Sequence, residues 1–138
     1  KKVDYIVLEV TSQALHQHKL DSVPIEVAVM TNLTQDHLDY HGDMEHYAEA
    51  KARLFRADPR FVVLNRDDEW YEYFSQFRGE EQTMTYGAGE EAECRIRSVK
   101  LYREGSEVQL LVDHQTKLNV ATSLPGKFNV YNTQRDVY

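Results

Sequence analysis

The chain has one cysteine, Cys94, no apolar run of membrane-spanning length and a shortage of positive charge. A single thiol cannot close a disulfide within the chain, which excludes a disulfide-stapled fold and makes a reduced, cytoplasmic setting the simple expectation. No stretch approaches the ~20 apolar residues that a helix needs to cross a bilayer, so no membrane partner is expected. The opening, Lys1-Lys2-Val3-Asp4-Tyr5, turns acidic before any useful apolar stretch, so no signal peptide is expected either. Sixteen Lys and Arg face 23 Asp and Glu, for a net charge of −7. Non-specific nucleic-acid binding requires a positive surface and is disfavoured. A nucleotide remains compatible, because magnesium and backbone donors neutralise phosphate locally. Internal repeats and low-complexity stretches are lacking.

What is present is ordinary for one globular core: 138 residues, 41% hydrophobic and 28% charged. Residues 5–10, Tyr5-Ile6-Val7-Leu8-Glu9-Val10, are predicted as a buried strand. Thr11-Ser12 is placed to cap a following helix that holds Ala14, Leu15 and Gln17, and Pro24 breaks the chain. Residues 26–32 form a second predicted strand, completing a βαβ unit with a parallel pair. A helix over 43–55 follows, capped by Asp43, with Met44, Tyr47, Ala48, Lys51 and Leu54-Phe55 on one face. Residues 60–65 are a third strand. Asp67-Asp68-Glu69 suits the first turn of another helix carrying Trp70, Tyr73, Phe74 and Phe77. A further short strand covers 83–86, and three strands over 94–102, 108–113 and 118–124 then make a small antiparallel meander. The expected class is α/β, a mostly parallel sheet flanked by helices. The chain opens almost directly on a core strand and closes on a helix beginning at Asn129, the pattern expected of a piece.

The densest polar cluster, Asp36-His37-Leu38-Asp39-Tyr40-His41-Gly42, follows a predicted strand. In an open parallel sheet, ligands bind beyond the carboxyl ends of strands. Glu9 ends the neighbouring predicted strand and can face the same crevice as His37. Lys51 lies fourteen residues after His37 on the next helix, among apolar neighbours. Each also has a bland reading: a loop histidine, a rim glutamate, a snorkelling lysine. His16 and His18 are two apart, do not share a helix face, and are not read as a zinc pair.

The order of segments removes much of that ambiguity. Residues 9–20, from Glu9-Val10-Thr11-Ser12, resemble the Glu-Val-Ser-Ser-His segment of the Mur ligases that extend UDP-N-acetylmuramoyl dipeptide. Thr31-Asn32-Leu33-Thr34-Gln35-Asp36-His37-Leu38-Asp39-Tyr40-His41-Gly42 is similar to nearly the full central signature of that branch. Tyr47-Ala48-Glu49-Ala50-Lys51, Asn65-Arg66-Asp67-Asp68-Glu69 and Gly126-Lys127-Phe128-Asn129-Val130-Tyr131-Asn132 resemble the segments that follow, in the right order.

The resemblance implies a partial central, ATP-binding domain of P-loop type over residues 1–138. The Gly-Lys-Thr phosphate loop is then expected upstream of Lys1, with the N-terminal and C-terminal domains outside the chain, which by itself is expected to be inactive. It implies an ATP-dependent ligase of peptidoglycan synthesis that adds a diamino acid to UDP-N-acetylmuramoyl-L-alanyl-D-glutamate through an acyl phosphate. Lys51 matches the lysine that these enzymes carbamylate, which converts a poor magnesium ligand into hard oxygens. His37 matches a ligand of the second magnesium, and Asp36 an acidic residue needed beside it. Glu9 matches the ligand of the first magnesium. Thr11, Gln17 and Lys19 fall where the family contacts the UDP-muramoyl peptide, and Asn129 and Asn132 where it contacts ATP. Thr11 stands for the usual serine, Gln13 for histidine and Lys19 for arginine, which loses a planar fork of donors. The tail 134–138 is polar where the family continues an apolar helix. Two further readings stay open: a Mur-like ligase of folylpolyglutamate or cyanophycin synthetase type, and a non-catalytic nucleotide-binding module. The presence of Glu9, His37 and Lys51 together weighs against the module.

Overall fold

A computed structural model describes residues 2–33 and 43–123. In chain order the elements are α1 (Ser12–His16), β1 (Val27–Met30), α2 (Met44–Arg56), β2 (Phe61–Asn65), α3 (Tyr71–Ser75), a 3-10 turn (Glu80–Gln82), β3 (Thr83–Gly87), β4 (Cys94–Tyr102), β5 (Gly105–Val112) and β6 (Thr116–Thr122). The strands form one six-stranded sheet in sequence order, β1 to β6. β1, β2, β3 and β4 pair in parallel, while β4, β5 and β6 pair antiparallel. The expected class, a mostly parallel sheet with helices and an antiparallel meander, is the observed one.

The periodicities explain the layers. Successive strand residues point to opposite faces. In β2, Val62 and Leu64 join a cluster with Ala28, Met30, Tyr47, Ala48, Ala52, Phe55 and Phe74, whereas Val63 joins Tyr86, Cys94, Val108 and Leu110 on the other side. Helix α2 lays Tyr47, Ala48, Ala52 and Phe55 on the first cluster, at the three-and-four spacing of an amphipathic helix. Phe55 meets Phe74 of α3 with ring centroids 5.0 Å apart. The predicted caps are in place. Asp43 accepts from the His46 N–H at 2.8 Å, and Thr11 Oγ1 accepts from the Ala14 N–H at 3.2 Å.

Two expectations change. Residues 5–10 form no strand, and Tyr5 and Val7 are 90% and 97% exposed. An extended segment becomes a strand only when another strand receives its backbone hydrogen bonds, and among the described residues β1 pairs with β2 alone. The expected βαβ pair is therefore realised one step later, by β1, α2 and β2. Secondly, the acidic turn at 66–69 precedes α3 instead of forming its first turn, and α3 starts at Tyr71. The meander continues the parallel sheet through two residue pairs, Tyr86↔Cys94 and Gly87↔Arg95. Parallel neighbours normally need a crossover of a dozen or more residues. Here Thr85 and Glu93 bridge the short connection: Glu93 Oε2 accepts from the Thr85 N–H at 2.8 Å, and the Glu93 N–H donates to Thr85 Oγ1 at 3.1 Å. Asp67 supports the same turn by accepting from the Ala88 N–H at 2.6 Å. A Cβ on Gly87 would sit 2.8 Å from that carboxylate, so the close approach uses a glycine.

Candidate functional site

β1 ends at Met30, a few residues in sequence before the polar cluster that starts at Asp36. Thr31, Asn32 and Leu33 lead out of β1, and three side chains from later elements hold them. Asn65 Nδ2 donates to the Thr31 carbonyl at 2.9 Å. The Tyr86 hydroxyl lies 3.3 Å from the carbonyls of Met30 and Thr31. Asp68 accepts from the Leu33 N–H at 3.0 Å. The sequence gives no periodic signal for these three anchors; an acidic residue before a helix reads first as a helix start.

Lys51 projects from the middle of α2, half-buried beside Tyr47, with Nζ 5.5 Å from the ring centroid. Burial holds its ammonium below the usual lysine range, because a charged amine loses hydration there, and the Glu9 carboxylate opposes that shift. Glu9 is exposed on the segment before α1, within electrostatic reach of Lys51. The structure thus brings together two of the three predicted magnesium-site residues. Asp36 and His37 lie outside the described residues, as do Asn129 and Asn132. Among the described residues there is no group of three or more His, Cys, Asp and Glu side chains arranged to hold a metal.

The other predicted contacts sit on α1. Thr11 is exposed, and its Oγ1 accepts the helix-capping bond from the Ala14 N–H. Gln17 and Lys19 are exposed on the turn that ends the helix. α1 packs along α2, so this turn and Lys51 share one structural unit. Among the described residues no helix is long and apolar enough to cross a membrane.

The fold is of α/β class, a mostly parallel sheet with flanking helices, and comparison with known proteins narrows it. The Mur ligase middle domain family matches residues 1–134, and the chain belongs to that family. It is 42% identical over 136 residues to UDP-N-acetylmuramyl-tripeptide synthetase 2 of Oceanobacillus iheyensis, covering 94% of this chain and 27% of the relative. It is 41% identical over 138 residues to UDP-N-acetylmuramoyl-L-alanyl-D-glutamate–2,6-diaminopimelate ligase of Geobacillus thermodenitrificans, covering 94% and 28%. A solved structure of a UDP-N-acetylmuramoyl-L-alanyl-D-glutamate–2,6-diaminopimelate ligase superposes with a TM-score of 0.83 at 34% identity, covering 92% of this chain and 27% of that one. The chain therefore spans little more than a quarter of the length of these relatives.

Proposed function

We propose that the chain is the part of a peptidoglycan ligase that holds the transferring phosphate, in an enzyme that joins a diamino acid to UDP-N-acetylmuramoyl-L-alanyl-D-glutamate at the expense of ATP. The observation that carries this reading is the half-buried Lys51, its ammonium disfavoured by burial, with Glu9 in reach. The substrate assignment draws on the names of the relatives, and 2,6-diaminopimelate is the diamino acid that two of those names specify.

The residues present fit magnesium. An amine with a lowered pKa offers more of the neutral form that combines with CO2, and the resulting carbamate supplies hard oxygen ligands. Lys51, Glu9 and His37 would hold the ions, whose contribution is to neutralise charge on the phosphoryl group. Lys51, carbamylated, presents its oxygens from a rigid helix. Glu9 would present its carboxylate from the exposed segment before α1. Asn129 and Asn132 would hold the nucleotide. Thr11, Gln17 and Lys19 orient the muramoyl peptide so that its terminal carboxylate meets the γ-phosphate. The carboxylate oxygen bonds to phosphorus as the bond to ADP breaks; the amine of the diamino acid then displaces phosphate from the acyl carbon. Such catalysis is mainly positioning and electrostatic stabilisation.

Phosphate release by the full-length protein tests this reading. With ATP, magnesium and UDP-N-acetylmuramoyl-L-alanyl-D-glutamate, release is expected only when a diamino acid is added, and faster with diaminopimelate than with lysine. A folded protein that releases no phosphate with either diamino acid would overturn the reading.

A further inference from the structure

The turn that ends α1 carries a side-chain bridge that none of the roles above uses. The His18 N–H donates to the Leu15 carbonyl at 3.1 Å and the Lys19 N–H to the Ala14 carbonyl at 3.1 Å, the paired bonds of a Schellman helix end. That turn needs a left-handed residue just past the cap, and His18 occupies it with φ 57°. Glycine takes this conformation freely, whereas a side chain costs roughly 1 kcal/mol or more there.

The histidine ring makes contacts that glycine cannot. Nδ1 lies 2.7 Å from Asp21 Oδ2, and Nε2 lies 2.7 Å from Arg53 Nη1 on α2. A guanidinium only donates, so Nε2 accepts and Nδ1 carries the hydrogen given to Asp21. The ring therefore bridges Asp21 and Arg53. Through it, the turn is fastened to α2 two residues from Lys51. The residues on either side of His18 are Gln17 and Lys19, both exposed, whose direction depends on the backbone between them.

We propose that His18, held between Asp21 and Arg53, is a positioning residue that sets the 17–19 turn for the muramoyl peptide. This rests on the reading that Gln17 and Lys19 contact that substrate. Because Arg53 and Lys51 share α2, the bridge also fixes the spacing between the peptide-binding turn and the phosphate-transfer end of the site.

Steady-state kinetics on the full-length protein test this. His18→Gly keeps the left-handed turn and removes the ring; Arg53→Met removes the donor and keeps an apolar stem. Each is expected to raise KM for UDP-N-acetylmuramoyl-L-alanyl-D-glutamate by about threefold to tenfold, the scale of one or two hydrogen bonds. kcat and KM for ATP should stay unchanged, and the double variant should be no worse than either single one. Arg53→Lys, which retains a donor, should recover most of the loss. A parent enzyme that turns over the muramoyl dipeptide, with KM unmoved in both single variants or with kcat falling instead, overturns this inference alone. A parent that does not accept the dipeptide overturns the substrate reading and this inference with it.

Discussion

The Asp68 carboxylate accepts a hydrogen bond from the Leu33 N–H at 3.0 Å, joining positions 35 residues apart. Its other oxygen accepts from the Trp70 N–H at 2.9 Å. One side chain thus fastens the exit of β1 and shapes the turn before α3. Asp68→Ala leaves both amides without that acceptor and is expected to destabilise the protein by about 1–3 kcal/mol. Thermal unfolding of the full-length protein measures it. Asp68→Asn, which keeps one acceptor oxygen, should lose less, and an unshifted midpoint in Asp68→Ala would show that the link carries no stability.

Lys51→Ala is expected to abolish ligation, and a small carboxylic acid added to that variant to restore part of it. Carbon-13 spectroscopy in labelled bicarbonate should show a carbamate signal in the parent that Lys51→Ala lacks. The Glu9 charge raises the Lys51 pKa against the lowering by burial. Glu9→Gln should therefore lower that pKa further. This shift is measurable as faster amine modification of Lys51 at neutral pH in magnesium-free buffer.

Glu49 gives a pH prediction of definite sign. Hydrogen bonds from Arg56, chiefly, and from the Tyr73 hydroxyl hold its pKa down at about 2, against an ordinary value of 4.5. A carboxylate with a lowered folded-state pKa adds stability above its ordinary pKa, and that stability is lost as pH falls through the folded value. Both Glu49 and Arg56 are about half exposed, so solvent screening limits the gain to roughly 1 kcal/mol or less. Chemical denaturation of parent and Glu49→Gln should differ at pH 7 and converge as pH drops from 4.5 to 2.

Gly105 opens β5 directly against the end of β6. A Cβ there would lie 2.3 Å from the Thr122 carbonyl oxygen, a backbone atom with little room to retreat. Gly105→Ala should cost about 1–3 kcal/mol by forcing the two strands apart. Gly79 is the control: a Cβ there would meet nothing within 4 Å. Gly79→Ala should be neutral or slightly stabilising, through the less flexible unfolded chain.

Local signals made much of the fold readable. Asp43 and the 47-48-51-55 spacing defined α2 nearly to its ends, and β4 lay where predicted, over Cys94–Tyr102. Lys51 was visible as a charge among apolar neighbours on a helix. Residues 5–10 show the limit of such reading, because apolar and β-branched residues announce a need for cover without naming what provides it. The Thr85–Glu93 bridge was hidden, since two side chains reaching across a turn leave no period. Asp68 was read as helix-starting composition, which any acid there would satisfy. His18 revealed no role because its partner Arg53 is 35 residues away, and only the folded chain brings them together.

The two-pair join between β3 and β4 also bears on how the chain assembles. β4, β5 and β6 are linked by short turns, so their contacts are local and form early, whereas β1, β2 and β3 pair across intervening helices and must close longer loops. The meander can thus serve as a preformed template onto which β3 docks, with Glu93 meeting Thr85 as the clasp. The backbone seam is narrow, but Val63 and Tyr86 on one side share a buried cluster with Cys94, Val108 and Leu110 on the other, so packing rather than strand pairing couples the two halves.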